Sequence, residues 1–132
     1  MSTNHERFED LCTQLCTEAG WERLPNAIRV AWPGGRHQLV ALEFFEQQGQ
    51  EFVRMCTRIG PVEALDEDRL VSALRVNAGL ARGALAVMHD DLVMLDTQLL
   101  QDAELNEVKA SIDYLARTAD SYEKTLFDTD AY

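Results

Sequence analysis

Two spacings of apolar residues alternate along this chain. Between residues 4 and 19 they recur every three or four positions. Phe8, Leu11, Cys12, Leu15, Cys16 and Ala19 form one stripe, which predicts an amphipathic helix stopped at Gly20. From Asn26 the period shortens to two, and Ile28, Val30 and Trp32 oppose Arg29 on a first strand. Pro33-Gly34-Gly35-Arg36 is a turn signal. His37–Gln47 predicts a second strand that is apolar on both faces, with Leu39, Ala41 and Phe45 on one and Val40, Leu42 and Phe44 on the other. Gln48-Gly49-Gln50 turns the chain into a third strand, Glu51–Ile59. There Val53, Met55 and Ile59 oppose Arg54 and Arg58, until Gly60-Pro61 breaks the run.

A second helix starts at Asp66, a side chain suited to an N-cap, with Glu67 and Asp68 at the positive end of the helix dipole. It runs to about Gly79, with Leu70, Val71, Leu74 and Ala78 on its apolar side. A hairpin follows: Ala84–Met88, a turn at His89-Asp90-Asp91, and Leu92–Leu99. Leu85 and Val87 point one way, Ala84, Ala86 and Met88 the other; on the return strand Val93, Leu95 and Leu99 oppose Leu92 and Met94. Both faces are apolar, whereas an antiparallel sheet in a small domain normally wets one. The second face therefore needs a cover: a helix of the same chain, a second subunit or a bound client. A last helix spans about Asp102–Leu126. Its stripe of Leu105, Val108, Ile112, Leu115, Ala119, Tyr122 and Leu126 suits packing across its own sheet better than a coiled-coil seam. The order helix, three strands, helix, two strands, helix predicts one α+β domain over residues 1–132, with a mostly antiparallel five-stranded sheet.

Composition narrows the partners. The 132 residues are 46% hydrophobic, enough for a real core, and carry a net charge of −11. That balance argues against nucleic acid and against an anionic membrane surface, both of which need basic residues. The acidity is uneven: residues 21–60 hold five arginines against four glutamates. The opening MSTNHERFED does not read as a signal peptide, and no window approaches the length of a membrane span, so a cytoplasmic location is expected. The closing FDTDAY is acidic and aromatic.

Catalytic chemistry finds little support. Cys12 and Cys16, four apart on a helix, share a face and could hold a soft metal or form a redox couple, but no CxxC or HxxxH accompanies them. Both fall in the apolar stripe, which favours core packing. His5, His37 and His89 have no nucleophile to activate, and the acidic turn after His89 lacks the oxygen count of a calcium loop. No GxSxG, HExxH, GxGxxG or P-loop pattern is present. The chain reads as a non-enzyme without a cofactor. Asn77, near a helix end beside Ala78 and Gly79, reads as a capping or turn-stabilising side chain, or as a hydrogen bond fixing the helix-to-strand crossing.

The segment LVSALRVNAGLARGALAVMHDDLVMLDTQ resembles the middle of the class I type III secretion chaperones and their YbjN-like relatives. The shared pattern is a leucine-rich helix, an Asn, a Gly a few residues on and an apolar hairpin, matched here by Leu70, Leu74, Asn77, Gly83, Leu85, Val87, Leu92 and Leu95. Ala119-Asp120 and Tyr122-Glu123 are similar too. The resemblance implies a non-enzymatic cytoplasmic homodimer that binds an extended segment of a secreted effector through apolar patches. It implies dimer contacts at Leu70, Val71, Leu74, Leu85 and Val87, and client contacts at Leu11, Leu15, Leu39, Ala41 and Phe45. A YbjN-like regulatory or sensory module of the same fold, with no secretion role, is the alternative.

Overall fold

The computed structural model describes residues 2–127, so the part of the acidic tail beyond Phe127 lies outside the described residues. Helix α1, Thr3–Ala19, begins where Ser2 accepts a hydrogen bond from the His5 N–H at 3.0 Å. It ends at Gly20, whose φ of 76° closes the last turn onto the Cys16 carbonyl. Four strands follow: β1 (Glu22–Leu24), β2 (Ala27–Trp32), β3 (Arg36–Gln47) and β4 (Gln50–Pro61). Helix α2, Glu67–Val76, is capped by Asp66, which accepts from the Arg69 N–H at 2.8 Å. Then come β5 (Ala84–Met88), β6 (Asp91–Leu99) and the long helix α3 (Leu105–Phe127). The strands form one sheet in the order β1-β2-β3-β4-β6-β5, antiparallel at every pairing.

The α+β class holds, with one strand more than the sequence predicts. β1 is three residues long, too short for an alternating pattern to register. It is tied to β2 by a Pro25-Asn26 turn in which Asn26 takes a φ of 56°. Two boundaries also move. α2 gives way at Asn77 to a short 3-10 turn, Asn77–Gly79, and the last helix starts at Leu105 because Leu100–Asp102 forms its own 3-10 turn.

All three helices lie on one face of the sheet. Alternation assigns that face: Val40, Leu42, Val53, Met55, Met94 and Leu85 are buried. α1 reaches it through Phe8, edge-on to Phe44 at 5.7 Å between ring centroids. α3 reaches it through Ser111, which donates to Asp96 at 2.8 Å. α1 buries Phe8, Cys12, Leu15 and Cys16, and α3 buries Val108, Ile112, Leu115, Ala116 and Ala119. Each large side chain so enclosed stabilises the fold by about 1.5–3 kcal/mol relative to exposure. The α3 stripe is thus used within the protomer. α2 is the exception, with Ala73 its single fully buried residue. The opposite face of the sheet carries no helix among the described residues.

Candidate interaction surfaces

Among the described residues two apolar surfaces remain on the outside, in different parts of the fold. The first lies where α2 crosses the edge strand β5. α2 is ten residues long and covers Leu85 but not Val87, two residues on along the same face. Val87 is 56% exposed, and on the helix Leu74 is 66% and Val71 38% exposed. Between helix and strand opens a cavity of about 210 Å³ lined by Leu70, Ala73, Leu74, Leu85, Ala86, Val87 and Leu92. Four of the five residues expected at a dimer contact line it, and the fifth, Val71, stands exposed on the same helix. Leu85 is a buried wall of the cavity rather than part of its outer surface.

The second surface is the helix-free face of the sheet. Leu39 is half exposed there, with Ala41 beside it. Register brings Cys56 opposite Ala41, Leu95 opposite Cys56 and Val93 opposite Arg58. A shallow depression of about 490 Å³ runs past His37, Leu39, Ala41, Cys56, Arg58 and Val93, and Glu123 of α3 also lines it. At the far end Phe45 stacks on Phe52 with ring centroids 5.4 Å apart, and the Arg54 guanidinium sits 4.5 Å above the Phe45 ring. Periodicity places Arg54 on this face, opposite in direction to Val53 and Met55, but does not mark Phe52. The two-residue turn at Gln48-Gly49, with φ of 54° and 78°, fixes the β3–β4 register that pairs Phe45 with Phe52.

The residues expected to touch a client do not share one surface. Leu39, Ala41 and Phe45 lie together on the helix-free face, but Leu11 and Leu15 belong to α1 on the other side of the sheet. Leu15 is fully buried in the core, and its expected client contact is corrected on that ground. It sits one helical turn below Leu11 on the stripe, and α1 packs against the sheet along that stripe. Leu11 is half-buried at its margin.

Charge on the helix-free face is locally neutralised. Arg54 meets Glu43 at 2.6 Å, Arg58 meets Asp91 at 2.9 Å and Arg29 meets Glu22 at 3.6 Å. These pairs leave an amphipathic band rather than a basic one. Cys12 and Cys16 are core residues. Burial pushes the Cys12 thiol up to about 12, against the lowering effect of Arg23, and raises Cys16 as well. Among the described residues, no group of three His, Cys, Asp or Glu side chains is placed to hold a metal ion. None of their helices is long and apolar enough to cross a membrane.

No family model and no curated protein matches this sequence. A solved structure does match in shape: a chain from the structure of the HopA1–SchA chaperone–effector complex superposes with a TM-score of 0.65 at 7% identity, over 94% of this chain and 98% of that one. The likeness lies in the fold, an α+β architecture of three helices on an antiparallel sheet that also occurs in a chaperone–effector assembly.

Proposed function

We propose that this chain is a non-enzymatic, cytoplasmic chaperone that acts as a homodimer and holds an extended segment of a protein client, of the effector kind. The observation that carries the reading is the segregation of its exposed apolar side chains. Leu74, Val71 and Val87 gather at α2 and β5, while Leu39 stands apart on the helix-free face of the sheet. Contiguous exposed apolar area on a small domain marks a contact surface, and two separate areas suit two partners. The α2–β5 surface fits a second copy: it offers both projecting side chains and a cavity, which a two-fold axis would bring together reciprocally. The helix-free face suits a client, whose apolar side chains would meet Leu39, Ala41 and Phe45 while the paired arginines give an amphipathic surround. The shared fold with a chain of a chaperone–effector complex supports the same reading.

Co-purification from the native host tests it, comparing wild type with Leu39→Glu. The proposal requires one polypeptide held through a limited extended segment by wild type and lost by Leu39→Glu, with the particle size of the chaperone itself unchanged. A variant that retains the partner as well as wild type removes the helix-free face from the reading.

A further inference from the structure

The two edges of a β-sheet carry unpaired backbone groups that can recruit another extended chain. Here one edge, β1, is only three residues long. The other, β5, is five residues long and lies outermost, paired on one side with β6 alone. Its pairing tells which backbone groups point outward. Met88 pairs with Asp91 across a two-residue loop, so Met88, Ala86 and Ala84 turn their N–H and C=O toward β6. Leu85 and Val87, the intervening residues, turn theirs away from the sheet.

Leu85 is nevertheless satisfied on that side. Its N–H donates to Asn77 Oδ1 at 2.6 Å, and its C=O accepts from Asn77 Nδ2 at 3.1 Å. A primary amide presents one acceptor and one donor side by side, which is the arrangement a residue of a neighbouring strand would present. Asn77 can do this because α2 relaxes there into a 3-10 turn beside the start of β5. Among the described residues, Val87 is the one outward-facing residue of β5 whose backbone is left open.

We propose that Asn77 is an edge guard. Its side chain occupies the β5 edge as a one-residue substitute for a strand and keeps a second copy of this chain from adding there through its backbone. Contacts at this end of the molecule are therefore made by side chains of α2 and β5. This goes beyond the chaperone reading and does not depend on a client.

The test compares wild type, Asn77→Ala and the double variant Asn77→Ala/Val87→Pro. Proline at 87 removes one of the two outward N–H groups that Asn77→Ala leaves open on β5, without costing a ladder bond. Sedimentation velocity over a concentration series and thioflavin-T fluorescence read assembly, and circular dichroism reads folding. N77A is expected to form species larger than wild type, growing with concentration, and the double variant to lose that growth. In N77A the Leu85 amide should also exchange roughly fivefold faster or more, the loss of one ordinary hydrogen bond. Folded N77A that keeps the wild-type size at every concentration overturns the proposal. So does assembly that persists unchanged in the double variant. If N77A does not fold, Asn77→Ser takes its place with the same two outcomes, since its shorter side chain cannot present an acceptor and a donor side by side to Leu85. Val87 also stands on the α2–β5 surface, so the homodimer is read in wild type alone and the guard in the concentration-dependent growth of N77A, which keeps failure of the one distinct from failure of the other.

Discussion

Leu74→Asp separates a self-contact at α2 from a merely exposed leucine. Leu74 is 66% exposed, so an isolated protomer loses little packing when it is replaced. Exposed substitutions of this kind change stability by only about 0.5 kcal/mol. A dimer that covers the α2–β5 surface loses much more. Burying a whole leucine side chain is worth about 1.5–3 kcal/mol, and roughly two-thirds of Leu74 remains to be buried, which gives about 1–2 kcal/mol per copy. Two-fold symmetry counts the change twice, so the dimer is weakened by about 2–4 kcal/mol. At about 1.4 kcal/mol per decade this raises the dissociation constant roughly 30- to 700-fold. The cost of placing a carboxylate in an apolar cavity comes on top. Sedimentation velocity across a concentration series measures the constant, with circular dichroism as the folding control. A folded variant whose dimer is as tight as wild type refutes the assignment of α2 as the self-contact. An unfolded variant refutes the premise that Leu74 stands free of the protomer's core.

Other residues give further expectations. Gly83→Ala should destabilise the domain by about 2 kcal/mol or more in urea titration: Gly83 has a φ of 64°, and a Cβ there would meet the Leu95 carbonyl oxygen at 2.5 Å. A midpoint within error of wild type would show that β5 and β6 can part locally at no cost. Phe45→Glu should leave the thermal transition within a few degrees of wild type but weaken client capture, because Phe45 lies on the helix-free face against Phe52 and Arg54; unfolding would assign Phe45 to the core instead. Cys12 gives the fold an alkaline limit. Its thiol has a pKa near 9 when unfolded and about 12 when buried, so the unfolded chain loses the proton first. The stability that depends on the neutral thiol is present below pH 9 and declines as pH rises toward 12, by about 1.4 kcal/mol per unit at most. Denaturant titrations at pH 8 and 10 should therefore diverge more in wild type than in Cys12→Ala, and equal pH dependence in the two would refute it.

Local patterns in the sequence determined a good deal about this protein. The three-and-four spacing of Phe8, Cys12, Leu15 and Cys16, and of Val108, Ile112, Leu115 and Ala119, marked the faces that α1 and α3 bury, because helical periodicity maps directly onto one side of a helix. Gly20, Asp66 and Gln48-Gly49 marked their turns and caps, because those conformations depend on the residue itself. β1 escaped notice because three residues carry no period. The surfaces were legible as lists of apolar residues but not as places. That the strands were oily on both sides was evident; that all three helices would crowd onto one face was not, since which face a helix covers depends on how the connections cross the sheet. Leu15 and Leu39 look alike as apolar positions, yet one is sealed under α1 and the other faces outward. Asn77 is the same case in miniature. Its role needs the outward backbone of Leu85, eight residues away, and only the folded chain brings the two together.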